Sequence, residues 1–259
     1  MEDSDGTDFV TNIDIGFLAA ITVTFVLAGV VKGVTGMGLP TVAMGLLGLF
    51  MPPVAAAGLL LLPSFVTNIW QLCAGPDFRG ILLRLWPMMA AIVVGTQLGI
   101  QLLTGGAAGW TTSALGGALF IYAAYSLMAR PLVLPPQLMS FLSPLIGLVT
   151  GLLTGATGVF VMPAVPYIQS MGFDRDMLVQ ALGLSFTVST VALALGLASE
   201  AALQIHDLRL STLAIVPALL GMWLGQWVRQ FVSPARFRRW FLMCLLALGT
   251  ELIARPFWN

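Results

Sequence analysis

The sequence has 259 residues, of which 58% are hydrophobic and only 8% charged, and its net charge is zero. Soluble domains carry about 25% charged residues, so this composition excludes an ordinary soluble protein and predicts an all-α polytopic protein of the lipid bilayer. A neutral chain also lacks the basic surface that drives nucleic-acid binding, so we predict no nucleic-acid partner.

The first half of the chain alternates long uncharged stretches with short polar links. An acidic tail, residues 1–14, has no basic segment ahead of the first apolar run, 15–31, so no cleaved signal peptide is predicted. Residues 33–76 carry no charge and are long enough for two passes of a membrane core about 30 Å thick. Residues 85–129 are also uncharged, and glycines at their middle predict a helical hairpin.

The second half repeats this plan, which divides the chain into repeat 1 (15–130) and repeat 2 (131–259). A G-x-T-G motif opens at Gly33 and again at Gly155, an offset of 122 residues. The polar link D-x-R recurs as well, from Asp77 to Asp207, at an offset of 130. Shared polar spacing of this kind is not expected from apolar composition alone, so the sequence predicts two related halves.

The two G-x-T-G motifs, GVTGMGLP at 33–40 and GATGVFVMP at 155–163, each lead to a proline. Glycine and proline both weaken helices, and free backbone amides at membrane depth must face protein or a wet cavity. We therefore expect two interrupted helices that line one pathway and bind a small anion through free amides and hydroxyls. The candidate residues are Gly33, Thr35, Gly36, Gly155, Thr157 and Gly158. Two alternatives stay open: the glycines allow close helix packing, and the threonines bond back to the preceding turn.

Other polar residues lie within the predicted spans. Ser64 and Asn68, and in the second half Ser185 and Ser189, are four residues apart, so each pair shares one helix face. These side chains either contact the substrate or join helices. Lys32 directly precedes the first motif and serves either as the counter-charge of a bound anion or as an interfacial residue that snorkels to the surface.

The arginines indicate how the chain is oriented. With four crossings in each half they divide evenly between the two faces, which gives no orientation. If the short runs near 37–51 and 159–171 also cross, making five per half, eight arginines face one side and only Arg209 and Arg255 face the other. This positive-inside pattern favours ten crossings, inverted halves and both termini outside the cell.

Other functional classes have little support. The chain has a single histidine and neither HExxH nor G-x-S-x-G, so we predict no enzyme activity, no metal and no cofactor. Cys73 and Cys244 lie in apolar runs without ligand spacing and are predicted to be small buried hydrophobic residues. A passive channel and a non-transporting assembly subunit remain as alternatives to a carrier, and the oligomeric state, including a homo-oligomer, stays open.

Paired G-x-T-G motifs followed by proline, the LGLSF segment at 182–186 and a D-x-R link in each half resemble the sulfite exporter TauE/SafE family along nearly the whole chain. The resemblance implies a multi-pass carrier in the cell membrane that moves small anions, such as sulfite or the organosulfonate sulfoacetate, commonly outward. Two departures suggest unequal halves. The first half has LLLPSF, with Pro63, where the second has LGLSF, and Lys32 stands where the second half has Thr154.

Overall fold

A computed structural model describes residues 15–106, 108–128 and 135–257, which form ten α-helices and a final 3-10 turn. In chain order these are α1 (Ile15–Thr35), α2 (Leu39–Leu47), α3 (Pro53–Cys73), α4 (Phe78–Thr104), α5 (Ala108–Met128), α6 (Pro136–Thr157), α7 (Ala164–Gln169), α8 (Arg175–Ser199), α9 (Ile205–Val228), α10 (Pro234–Ala254) and the turn Arg255–Phe257. None of the described residues lies in a β-strand. The prediction of an all-α protein is confirmed for this part of the chain.

The polar links between the long helices also start them. The Asp77 carboxylate accepts a hydrogen bond of 2.9 Å from the amide of Gly80 in the first turn of α4. Asp174 does the same for the amide of Met177 at the start of α8, also at 2.9 Å. Such caps satisfy amides that have no partner within the helix. The charges that interrupt the apolar runs therefore mark helix boundaries.

Apolar side chains cover the outer surface of the bundle, while polar ones are buried inside it. Leu98 and Trp223 are 64% and 65% exposed, whereas Asn68 is fully buried. Five helices, α1, α3, α4, α8 and α9, are long and apolar enough to cross a membrane, and α6 holds a shorter apolar segment, Phe141–Thr157. This distribution is the reverse of that in a water-soluble protein and is typical of a polytopic membrane protein.

The closest helix pairs join the two halves of the chain. The first helix of each half packs on the fourth helix of the other half, so that α1 lies on α9 and α6 lies on α4. Corresponding helices also pair directly, α3 with α8 and α5 with α10. In addition, α9 contacts α3 and α8 contacts α4. These six contacts map onto one another when each helix of the first half is exchanged for its counterpart five helices later.

The short helices α2 and α7 belong to segments that run back along the bundle. At the start of α1, the ring of Phe17 lies 6.2 Å from that of Phe50, which directly precedes α3. At the other end, Gln71 near the end of α3 donates a hydrogen bond of 2.6 Å to the carbonyl of Gly36, which follows α1. Therefore α1 and α3 run in the same direction, and the segment between them runs back to the end of the bundle where α1 begins. In the second half, the Tyr167 hydroxyl donates to the carbonyl of Met139 at 2.6 Å and brings α7 beside the start of α6.

These directions distribute the arginines unequally between the two ends of the bundle. The arginine-rich end contains the starts of α4, α8 and α10 and the end of α9, with Arg79, Arg84, Arg175, Arg229, Arg236, Arg238 and Arg239. The opposite end contains Arg209, Arg255 and the start of α1. There the Arg255 guanidinium donates to the carbonyls of Gly48 and Leu49, which fixes the end of α10 beside the loop that precedes α3.

One prediction about side-chain burial is wrong. Cys73 and Cys244 are both exposed at the surface of the bundle rather than buried in its core. The reason is that an apolar residue in a membrane protein gains little by turning inward, since lipid is as apolar as the core. Apolar surroundings in the sequence therefore indicate depth in the membrane, not burial in the protein.

Candidate anion site

Both G-x-T-G motifs end a long helix at their second glycine. Gly36, after α1, has φ of 79°, and Gly158, after α6, has φ of 71°. The amide of Gly36 donates to the carbonyl of Lys32, and that of Gly158 to Thr154, each at 2.8 Å. The left-handed conformation costs side-chain-bearing residues about 1–2 kcal/mol, which explains glycine at both positions.

The first glycine of each motif permits close contact between the two halves. A Cβ at Gly33 in α1 would lie 2.9 Å from the Cα of Gly225 in α9. A Cβ at Gly155 in α6 would lie 2.7 Å from the carbonyl carbon of Gly99 in α4. Contacts this short with backbone atoms leave no room for a side chain. Within each motif, therefore, one glycine serves packing and the other serves the helix end.

The two motif threonines share two hydrogen bonds, and the Thr35 hydroxyl also lies 2.8 Å from the carbonyl of Met37. The Thr35 hydroxyl donates to the carbonyl of Val31 at 2.8 Å and accepts from the amide of Met37 at 3.3 Å. The Thr157 hydroxyl donates to Leu153 at 2.7 Å and accepts from the amide of Val159 at 3.2 Å. Both hydroxyls thus bond back to the preceding turn, which was the alternative left open by the sequence. Contact with an anion would require them to give up these bonds.

The two motif turns are not close to each other. Along α3, the carbonyl of Gly36 contacts Gln71, whereas a Cβ at Gly158 would lie 3.6 Å from Ala57. Fourteen helical residues separate these two levels, which is about 21 Å at 1.5 Å per residue. The first turn lies toward the arginine-rich end and the second toward the opposite end. A common binding site must therefore lie between them.

Lys32 occupies this central region. Its side chain is only 1% exposed, so the interfacial snorkelling considered for the sequence is wrong. The ammonium donates to the Thr67 hydroxyl at 3.0 Å and to the Asn68 amide oxygen. Within residues 15–106, 108–128 and 135–257, no carboxylate forms an ion pair with it. The positive charge is therefore buried among neutral oxygens.

Asn68 extends this network across the crossing of α3 and α8. Its nitrogen donates to the Thr190 hydroxyl at 3.3 Å, and that hydroxyl donates to the carbonyl of Phe186 at 2.7 Å. The Gln180 amide donates to the carbonyl of Leu72 at 2.9 Å, which shows that α3 and α8 run antiparallel. The lysine of the first half is thus linked to the third long helix of the second half.

Three of the predicted site hydroxyls have no hydrogen-bond partner at this crossing. Ser64 in α3 and Ser185 and Ser189 in α8 are all fully buried. A buried hydroxyl without a partner costs about 1–3 kcal/mol, so proteins keep few of them. Each is a donor that a ligand can use. Ser64 and Asn68 lie in α3, and Ser185 and Ser189 lie in α8, which contacts α3; their spacing within each helix did not predict this helix pairing.

A cavity of about 420 Å³ leads from Lys32 toward the arginine-rich end. It lies between the ends of α1, α3 and α9, and its lining includes Gly33, Gly36, Gln71, Gln226 and Arg229. Among the residues that the structure describes, no carboxylate lines this cavity. A cavity with cations, amides and no acid is suited to an anion.

The comparison with known families agrees with this chemistry. The family model described as Sulfite exporter TauE/SafE matches residues 21–252. The chain belongs to this family. This match confirms the family resemblance seen in the sequence. TauE/SafE proteins are membrane transporters rather than enzymes. No curated protein and no solved structure matches the chain.

Sequence reasoning missed several residues of this TauE/SafE site. Thr67, Gln71, Thr190 and Arg229 have no motif around them, and only the fold brings them toward Lys32. One signal was available in the sequence, since Thr67 precedes Asn68 and continues the polar face that begins at Ser64.

Proposed function

We propose that this TauE/SafE protein is a carrier for small anions, with sulfite or an organosulfonate such as sulfoacetate as substrate and export as the favoured direction. The anion binds between the two halves, where α3 crosses α8. Lys32 supplies the counter-charge, and Ser64, Asn68, Ser185 and Ser189 supply polar contacts. The observation that carries this proposal is the buried Lys32 ammonium without a carboxylate, beside serine hydroxyls without partners.

The free energy of burial favours an anion at this position. On insertion scales a lysine costs about 2.5–3.5 kcal/mol at the centre of a membrane helix and less toward the helix end, where Lys32 lies, and neutral oxygens compensate only part of this cost. An anion beside Lys32 supplies the missing opposite charge. It also accepts hydrogen bonds from the orphan serines, Ser64, Ser185 and Ser189, whose hydroxyls have no other partner. Because most other contacts come from neutral groups, the anion also stays free to leave, as transport requires.

The motif residues frame this site rather than forming its centre. Gly33 and Gly155 hold the halves together, while Thr35, Gly36, Thr157 and Gly158 end the helices on either side of the crossing. Free backbone beyond these helix ends gives the anion polar groups along its path. Direct contact of the two threonines with the anion, which the sequence predicted, is untested, and this proposal does not include it.

We further propose that the halves are inverted repeats with five crossings each. The exchange symmetry of the helix contacts supports this, because it relates α1–α5 to α6–α10 in order. The returning segments around α2 and α7 support an odd number of crossings per half, since they bring α3 and α8 into the same direction as α1 and α6. An odd number reverses the second half relative to the first.

The arginine distribution supports an orientation in the inner cell membrane. Seven described arginines lie at the arginine-rich end and two, Arg209 and Arg255, lie at the opposite end. Cytoplasmic loops are enriched in Lys and Arg. We therefore assign the arginine-rich end to the cytoplasm and both chain termini to the outside, so that the cavity leading to Lys32 opens inward.

Flux in liposomes tests the carrier directly. Wild-type protein is expected to transport labelled sulfite with saturation and to accelerate exchange against unlabelled sulfite on the other side. Lys32 is the only lysine of the chain, and Lys32→Met should abolish this flux, whereas Arg236→Gln, at an exposed site on α10, should not. Flux that rises linearly without exchange would indicate a channel. No flux from well-folded wild-type protein would favour a non-transporting subunit.

A further inference from the structure

The outer part of the Lys32 cavity contains a second cation that the proposed binding centre does not use. Arg229 follows α9 and lines the cavity together with Gln226 and Gln230. Within the part of the chain that the structure describes, no carboxylate pairs with Arg229. Both glutamines are exposed and the arginine is half-buried, so all three side chains can meet an ion arriving from water.

The packing of α1 on α9 sets the order of these groups along the cavity. Gly33 lies against Gly225, so Lys32 is level with this contact. Arg229 comes one helical turn after Gly225, which places it about 6 Å nearer the arginine-rich end. An anion that enters from that end therefore meets Arg229 before Lys32.

Gln71 lines the same cavity as the two cations. Its nitrogen donates to the carbonyl of Gly36 at 2.6 Å, while its buried oxygen has no partner. The amide thus ties the first motif turn to the cavity wall. Two cations that face one space without an acid repel each other, and an anion between them relieves this repulsion. Cations are favoured near helix C-termini, which by itself would explain an arginine at position 229. It would not explain why the described residues that line the cavity include no acid.

The other half of the chain has no equivalent of this group. Gly225 of α9 packs on Gly33 as Gly99 of α4 packs on Gly155, so Gln226, Arg229 and Gln230 correspond to Ile100, Leu103 and Thr104. None of these three residues of α4 is charged, and Ile100 and Leu103 are buried. The charged group therefore exists at only one end of an otherwise symmetric set of helix contacts.

We propose that Arg229, with Gln226 and Gln230, forms a vestibular anion site that captures substrate from the arginine-rich side only. This inference rests on the proposed carrier function and adds a second, outer site to it. The site concentrates small oxyanions in front of Lys32 without taking part in their passage through the α3–α8 crossing. Its consequence is a carrier whose apparent affinity differs between its two sides.

The test compares inside-out with right-side-out membrane vesicles that contain the protein, using labelled sulfite. In one orientation the anion enters from the Arg229 side, and in the other it enters from the opposite side. Arg229→Gln should raise KM about tenfold from the Arg229 side, because a lost charge contact is worth at least about 1.4 kcal/mol. The maximal rate from that side should stay unchanged. From the other side KM should not move, but the maximal rate should fall in the same proportion, because the ratio of maximal rate to KM must change equally in the two directions. Arg229→Lys should restore most of the affinity, since it keeps the charge.

Arg239→Gln serves as the control, because this exposed arginine lies at the same end of the bundle but outside the cavity. It should leave KM unchanged from both sides. An equal rise of KM from both sides in Arg229→Gln would mean a general structural effect and would overturn the vestibule, as would no rise at all. If wild-type vesicles move no sulfite in either orientation, the carrier function itself fails and the vestibule fails with it.

Discussion

Lys32 and Asn68, 36 residues apart in sequence, are joined by a hydrogen bond from the ammonium to the amide oxygen. The amide nitrogen of Asn68 then contacts Thr190 of the second half. A single neutral side chain thus holds the buried Lys32 side chain in place. In the proposed site the neutrality of Asn68 matters, because a carboxylate at this position would pair with Lys32 in place of the anion.

Asn68→Asp tests this requirement with almost no change in shape. The new carboxylate should pair with Lys32, and anion transport should fall about tenfold or more, because a charge pair at close range is worth several kcal/mol. The protein should still fold, since the pair is self-compensating. Sulfite flux in liposomes and thermal unfolding in detergent give the two readouts.

Gln97→Glu is the matched control for that substitution. Gln97 lies in α4 and donates to the carbonyl of Ala192 at 2.9 Å, away from Lys32. It should lose stability through the broken hydrogen bond while the KM for sulfite stays near the wild-type value. If Asn68→Asp transports as well as wild type, Lys32 is not the counter-charge.

The orphan serines should show opposite effects on stability and on transport. Ser64→Ala, Ser185→Ala and Ser189→Ala each remove a buried hydroxyl without a partner, so the free energy of unfolding should stay constant or rise by up to about 1 kcal/mol. Transport should nevertheless fall, because each change deletes a donor for the anion. Chemical denaturation and sulfite flux, measured on the same preparations, check both parts.

Ser211→Ala provides the contrast, because this buried serine has a partner. Its hydroxyl accepts from the amide of Leu62 at 3.1 Å. Loss of that bond should cost about 0.5–1.5 kcal/mol and should lower transport only as far as it lowers the amount of folded protein. Orphan-serine variants with normal transport would remove these hydroxyls from the site.

The motif threonines should act on stability rather than on anion affinity. Thr35→Val and Thr157→Val keep the shape of the side chain but lose its bonds to the preceding turn, which should cost about 1 kcal/mol each. The KM for sulfite should remain unchanged in both variants at equal amounts of folded protein. A raised KM without a loss of stability would instead place these hydroxyls on the anion.

The packing glycines should tolerate no side chain. Gly33→Ala and Gly155→Ala bring a methyl group into contact with the backbone of α9 and α4, and overpacking of this kind costs about 1–3 kcal/mol. Gly117→Ala in α5 is the control, since nothing lies within 4 Å of the added Cβ. It should raise stability by up to about 1 kcal/mol through helix propensity. Thermal unfolding compares the three, and equal effects would contradict the packing role.

Thiol labelling tests the orientation. In a Cys73→Ser, Cys244→Ser background, Ala235→Cys at the arginine-rich end should react with an impermeant reagent only from the cytoplasmic side. Glu200→Cys, at the other end, should react only from outside. Both positions are exposed. Labelling of both from one side would contradict the proposed ten crossings.

The sequence predicted the helices and their ends well, because these depend on local chemistry. Charged links cap helices, and the glycine at position 36 or 158 adopts a backbone conformation that other residues avoid. The link from Lys32 through Asn68 to Thr190 depends instead on how α3 is rotated against α8, and an apolar run without a polar stripe does not indicate this rotation. For the same reason the two cysteines could not be assigned to the inside or the outside.

The pairing of α1 with α9 also has a consequence for biosynthesis. When α1 leaves the ribosome, its partner is still about 170 residues from being made. During that interval Lys32 sits in a helix whose glycine face has nothing to pack on, and only the arrival of α3 can give its ammonium an oxygen. The contact between α1 and α9 can therefore form only after the last third of the protein has been translated.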